Sequence, residues 1–186
     1  QVCALAGYSV KLYDIQSDII KIGIAAIRKN LDASVDKNRI TSAQKDEALS
    51  RIQSVGDFRQ LQVDLAIEAV VEKVEVKHMI LSELEKINGM DCLMVSNTSS
   101  FPITQLASVL KHKDRFAGLH LVNPAPAMKL VEIIRGAATT DHTIEVLDSF
   151  VGSLSKSAVQ AADSPGFIVN RVARPFYAEA LKVVED

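Results

Sequence analysis

The sequence predicts an α/β fold built on a doubly wound, mostly parallel sheet, and three observations predict it. Short apolar runs of strand length (Leu65 to Val71, Cys92 to Val95, Phe116 to Val122) alternate with stretches of helical spacing (Ser17 to Ala33, Val74 to Ile87, about Asp141 to Leu154). The links between them are short, as in repeated strand and helix units. Polar groups gather where apolar runs stop, at Ser96 to Ser100 and Asn123 to Pro126, and open α/β sheets place their ligands at such strand ends.

The elements follow in order. Ser9 to Asp14 alternates briefly and ends in an acid, which reads as a strand; Ile19, Ile20, Ile22, Ile24, Ile27 and Leu31 then mark an amphipathic helix over Ser17 to Ala33. After a polar connection at Asp36 to Asn38, Thr41-Ser42 can cap a second helix through about Ile52. Leu65 to Val71, interrupted only by Glu68, suits a buried parallel strand, and Val74 to Ile87 returns to helical spacing. Cys92 to Val95 is a short buried strand and Ile103 to Leu110 a helix after Pro102. Phe116 to Val122 and Met128 to Ile134 are strands on either side of the two prolines, and a helix follows from Asp141 to Leu154. Beyond Ser164-Pro165-Gly166 a long helical pattern runs to the end. No internal repeat is visible.

Of the 186 residues 48% are hydrophobic and 24% charged, the balance of a soluble globular protein, and they suffice for a real core. A net charge of −2 without a long Lys/Arg run argues against nucleic acid or an anionic membrane surface as partner. No apolar run reaches the roughly 18 residues of a membrane span, and no signal peptide is visible. Cys3 and Cys92 stand far apart in apolar surroundings and read as buried free thiols, which fits a reducing compartment. Histidines and cysteines lack ligand spacing, so no metal is expected, and there is no G-x-S-x-G elbow for acyl hydrolysis.

Several residues invite chemistry. Asp14 ends a strand where a dinucleotide fold places the acid that binds ribose hydroxyls, and no arginine follows in Ile15-Gln16-Ser17, which favours NAD over NADP; a simple helix cap is the alternative. Glu72, Lys73 and Lys77 read as an exposed charge cluster opening a helix. His120 sits in an apolar strand before a proline-stiffened turn, and Glu132 follows twelve residues later on the next strand. A carboxylate behind a histidine fixes its tautomer and stabilises the imidazolium, as a general base near neutral pH requires; the bland alternative is a satisfied core histidine. Ser99, Asn123 and Asn170 can donate or accept beside such a base, or serve as a helix cap, an Asx turn and a helix contact. His78, His112 and His142 match no such pattern.

Three segments in register, Ser96-Asn97-Thr98-Ser99-Ser100, the HxxNPxPxMKLVE stretch from His120 to Glu132, and Pro165 to Arg171 (PGFIVNR), give the chain a specific likeness. It resembles the L-3-hydroxyacyl-CoA dehydrogenase family, which includes 3-hydroxybutyryl-CoA and 3-hydroxyadipyl-CoA dehydrogenases, from its first residue to its last. The resemblance implies a Rossmann-like NAD-binding domain over residues 1–163 and, over 164–186, the first helix of an all-helical domain that carries homodimer contacts. In the family a Gly-rich fingerprint stands a few residues before the segment matching Gln1, yet the eight glycines here nowhere fall in G-x-G spacing. The expectation is a chain that begins inside the first helix, with the first strand and Gly-rich loop missing, and that binds NAD weakly by itself.

The same resemblance implies oxidation of a (S)-3-hydroxyacyl-CoA to the 3-ketoacyl-CoA with NAD, in fatty or aromatic acid breakdown in the cytoplasm. It gives His120, Glu132, Ser99 and Asn170 the catalytic roles: His120 takes the 3-hydroxyl proton, Glu132 orients the ring, Ser99 meets the substrate oxygen and Asn170 the developing carbonyl or thioester oxygen. Asp14, Glu72, Lys77, Ser99 and Asn123 would meet NAD, and Asn30 and Lys37 the CoA moiety, although the family usually carries serine where Asn30 stands. A structural, crystallin-like protein and a dehydrogenase of free hydroxy acids of the L-gulonate type remain open within the same family.

Overall fold

Strand and helix alternate along the chain as the apolar periodicity requires. The computed structural model describes residues 1–185, so Asp186, the last residue of the expected terminal segment, lies outside the described residues. The helices are α1 (Val2–Leu5), α2 (Ser17–Asp36), α3 (Ser42–Ser50), α4 (Val74–Asn88), α5 (Ile103–Leu106), α6 (Asp141–Ser153) and α7 (Val169–Glu185). The strands are β1 (Val10–Leu12), β2 (Ile52–Ser54), β3 (Leu65–Glu68), β4 (Leu93–Ser96), β5 (Phe116–Leu121), β6 (Leu130–Ile134) and β7 (Ser157–Ala161).

A five-stranded sheet in the order β3-β4-β5-β6-β7 is parallel except where β6 runs against β5. Side chains alternate between its two faces. Ala66, Met94, Phe116, Ile134 and Ala161 pack on one face against Leu81 and Leu84 of α4 and Ile103 and Leu106 of α5. Val95, Ala117, Leu119, Val131 and Ile133 pack on the other against Ile144, Leu147 and Val151 of α6. By the same alternation Glu68, Ser96, Gly118, His120 and Glu132 all belong to the first face. Gly118 is needed there: a Cβ would lie 2.8 Å from Ile103 Cδ1 and 2.9 Å from Ile134 Cβ, so the missing side chain lets α5 close on the sheet.

β1 and β2 form a second, parallel sheet, and among the described residues it shares no ladder with the first. Its own small core joins Ala4 of α1, Leu31 of α2 and Ala48 of α3. The two sheets meet through Lys11 Nζ, which donates to the carbonyls of Gln60 (2.8 Å) and Gln62 (3.1 Å), and through the edge-on rings of Tyr13 and Phe58, 5.2 Å apart.

Some boundaries differ from the expectation. Thr41 does cap α3, exchanging hydrogen bonds with Gln44 (3.2 and 2.8 Å), but the helix stops at Ser50 because Ile52–Ser54 pairs with β1. β3 ends at Glu68 rather than Val71, where the chain turns outward and Val71 is 61% exposed. α5 gives way to a 3₁₀ turn at Ala107–Val109, and β7 lies in a stretch where no strand was expected. Cys92 is buried and Cys3 half-buried, both unbridged, and burial pushes each thiol up. Among the described residues no helix is long and apolar enough to cross a membrane.

Candidate active site

His120 stands next to the end of β5, and the antiparallel turn-back places Glu132 of β6 directly opposite it. Cross-strand neighbours on one face bring their Cβ atoms to about 5 Å, so register alone sets the pair in reach. His120 Nδ1 lies 2.6 Å from Glu132 Oε2; the His120 side chain is 11% exposed and the carboxylate fully buried. Against an ionised carboxylate Nδ1 carries the proton, and in the neutral ring Nε2 is left with its lone pair. That is the tautomer of a base.

Glu132 has a second duty. Its Oε1 accepts the backbone N–H groups of Ile168 (2.7 Å) and Val169 (3.0 Å), where α7 begins. The preceding turn makes this possible: Gly166 has φ +78° and Phe167 φ +46°, a left-handed conformation costly for an aromatic residue. Phe167 is buried with its ring 6.0 Å from the imidazole. Three donors thereby compensate the burial of the carboxylate, which would otherwise be prohibitive.

Ser99 lies on the loop between β4 and α5. Its N–H donates to Glu72 Oε1 (3.1 Å) and its carbonyl accepts from Asn170 Nδ2 (3.1 Å), so these bonds use its backbone rather than its hydroxyl. Neither Ser99 nor Ser100 caps α5. Asp163 does so instead, accepting from Ile103 N (2.6 Å), Thr104 N (2.9 Å) and the Thr104 hydroxyl (2.5 Å), and it ties the loop to the chain that enters α7.

The expected exposed cluster at Glu72, Lys73 and Lys77 is corrected at Lys77, which is 1% exposed. Its ammonium sits 2.9 Å from Glu68 Oε1 and 2.9 Å from Glu72 Oε2. Glu68 also accepts from Val70 N (2.7 Å) and the Ser96 hydroxyl (2.6 Å). Glu72 Oε1 accepts the Thr98 hydroxyl (2.5 Å), and Thr98 in turn accepts from Ser100 N and Phe101 N. Burial raises the Glu72 carboxyl, but the bonds from Thr98, Lys77 and the Ser99 N–H outweigh it and hold the group below the ordinary glutamate range. Glu68, Thr98 and Asp163 were not singled out from the sequence, although a lone carboxylate in an apolar run demands a buried partner and Glu68 is such a residue.

Asp14 lies just past β1, half-buried, and its Oδ1 accepts Gln16 N (2.8 Å), so it shapes the turn into α2. Asn123 is exposed in the loop after β5, a loop held by Lys156, whose ammonium donates to the carbonyls of Ala125 and Met128 (2.6 Å each) and is lowered by burial. Asn30 and Lys37 are exposed and line a cleft of about 890 Å³ with Arg39, Arg51, Pro124 and Lys129. The structure thus gathers His120, Glu132, Ser99, Asn170, Glu72 and Lys77 into one bonded constellation. Asp14 belongs to the smaller sheet, and Asn30 and Lys37 to the cleft beside the Asn123 loop.

The family model described as "3-hydroxyacyl-CoA dehydrogenase, NAD binding domain" matches residues 1–164. The chain is 44% identical over 181 residues to a 3-hydroxybutyryl-CoA dehydrogenase of Bradyrhizobium diazoefficiens, covering 97% of this chain and 62% of that protein. It is 40% identical over 187 residues to a 3-hydroxyadipyl-CoA dehydrogenase of Escherichia coli, covering 100% of this chain and 39% of that one. Among solved structures, the (S)-3-hydroxybutyryl-CoA dehydrogenase of Ralstonia eutropha superposes with a TM-score of 0.94 at 38% identity, over 99% of this chain and 65% of that one. The chain spans less than two thirds of each of these relatives.

Proposed function

The chain belongs to the 3-hydroxyacyl-CoA dehydrogenase family as its NAD binding domain, and from that premise we propose that the protein oxidises a (S)-3-hydroxyacyl-CoA to the 3-ketoacyl-CoA with NAD. The observation that carries the reading is the 2.6 Å contact between His120 Nδ1 and Glu132 Oε2. It leaves Nε2 as the acceptor for the substrate 3-hydroxyl proton. When bound, NAD supplies the acceptor for the hydride that leaves the same carbon, so the two electrons go to the nicotinamide and the proton to His120.

The residues present fit that cofactor. Asp14 commits one oxygen to its own turn and has a second for ribose hydroxyls, and no arginine follows it that would favour a 2′-phosphate. Glu72 and Asn123, in the loops after β3 and β5, would border the nicotinamide half, with Lys77 of α4 held behind Glu72. Ser99 donates its hydroxyl to the substrate oxygen, and Asn170, held against the Ser99 carbonyl, meets the carbonyl that develops. Asn30 and Lys37 meet the CoA moiety in a cleft whose Lys37, Arg39, Arg51 and Lys129 suit its phosphates. The breakdown of fatty or aromatic acids in the cytoplasm is the setting this substrate implies. The exposed apolar residues of α7 support a homodimer.

The test uses acetoacetyl-CoA and NADH with the full-length protein. His120→Gln is expected to lower kcat by roughly 10²–10⁴ with KM little changed, because a positioned general base supplies about that much. Near wild-type turnover by the variant removes His120 from the chemistry. Turnover of free hydroxy acids in place of the thioester moves the reading to the L-gulonate type, and no turnover of either to a structural role.

A further inference from the structure

Beside the dyad lies an ionic triad, buried at Glu68 and Lys77 and open to solvent at Glu72, that the proton transfer does not use. Glu68 and Lys77 have side chains 0% and 1% exposed, and Lys77 bridges Glu68 to Glu72. Every group facing Glu68 donates to it: the Lys77 ammonium, the Val70 N–H and the Ser96 hydroxyl. Glu72 likewise meets only donors, from Thr98, Ser99 and Lys77. Two carboxylates around one ammonium leave a single net negative charge, walled from water on the Glu68 side.

Its position follows from register. Glu68 pairs with Ser96, and Ser96 with Gly118, two residues before His120. Adjacent strands lie about 4.8 Å apart, so Glu68 stands on the order of 10 Å from the strand that carries the base. Proton and hydride leave neighbouring atoms of one substrate, so the redox ring of the dinucleotide must come to rest within contact of the carbon beside His120 Nε2. That ring is a cation when oxidised and neutral when reduced. A fixed charge within about 10–15 Å therefore acts on one oxidation state and not on the other.

We propose that Glu68 sets the oxidation-state preference of the cofactor site, its charge favouring the cationic oxidised dinucleotide over the neutral reduced form. The inference rests on the dehydrogenase reading above and adds a residue to it. Glu68 acts through space and through Lys77, without touching cofactor or substrate, and so is a specificity-determining residue of the positioning kind. A purely mechanical role, tethering Glu72 and with it the Thr98-Ser99 backbone, would weaken both forms of the cofactor by one factor.

Titration of NAD⁺ and NADH separately into the full-length protein distinguishes the two. Glu68→Gln, nearly isosteric, neutralises the triad and is expected to raise the ratio of the NAD⁺ to the NADH dissociation constant roughly three- to tenfold, the effect of a unit charge over such distances at intermediate polarity. Adding Lys77→Gln restores the single negative charge at Glu72 and should return the ratio to its wild-type value. An unmoved ratio in folded Glu68→Gln, or a shifted ratio that the second substitution fails to restore, overturns the proposal. If Glu68→Gln alone does not fold, Glu68→Met removes the same charge without an amide to satisfy and must move the ratio the same way; an unmoved ratio there overturns it equally. Failure of the wild-type protein to bind either form overturns the dehydrogenase reading instead.

Discussion

Glu132 shows how much a single residue carries, since one oxygen meets the His120 imidazole and the other fastens the start of α7. In Glu132→Gln the new amide can place its NH₂ against His120 Nδ1. That would force the proton onto Nε2 and abolish the lone pair on which the proposed proton transfer depends. The rate is expected to fall by roughly 10²–10⁴ while the backbone bonds to the amide oxygen persist. Steady-state kinetics beside a circular dichroism melt checks it, and full turnover would separate the tautomer from the chemistry. Glu72 yields a pH prediction. Its folded carboxyl is held below the ordinary value of 4.5. The stabilisation it gives is therefore present above that value and is lost as pH falls through the lowered one. Its side chain is 39% exposed, so water screens the effect. Thermal melts between about pH 5 and pH 3 should show a slope that Glu72→Gln flattens.

At the level of the element, Gly118→Ala is expected to cost about 1–3 kcal/mol, because its Cβ would overlap Ile103 and Ile134 in a filled core. Urea unfolding at constant m reads this directly. Asp163→Ala removes the acceptor of the first N–H groups of α5 and should cost about 0.5–2 kcal/mol, with Asp163→Asn milder. β4, β5 and α4 were legible in the sequence because their apolar runs are long or fully buried. β2 and β7 were not, since Ile52-Gln53-Ser54 and Ser157 to Ala161 are short and largely polar or half-exposed, and only pairing with β1 and β6 makes them strands. The His120 and Glu132 pairing was legible because twelve residues and a turn suffice for it. The burial of Lys77 was not, because its two partners come from a strand and a loop whose meeting no local pattern encodes.

For the whole molecule, α7 leaves Val172, Phe176 and Val183 at 70%, 73% and 76% exposure, a stripe at helical spacing on one side of the last helix. If that face closes the proposed homodimer, Phe176→Asp with Val183→Glu should halve the mass seen by light scattering, while a mass unchanged by both substitutions would place the subunit contact elsewhere. The double attachment of Glu132 has a further consequence. The carboxylate that meets the imidazole also holds the first N–H groups of α7, so a tilt of that helix is passed on to the ring. If the proposed homodimer closes through α7, dissociation on dilution should lower kcat together with the measured mass, and a specific activity constant across the dissociation would show that the ring keeps its place without the second subunit.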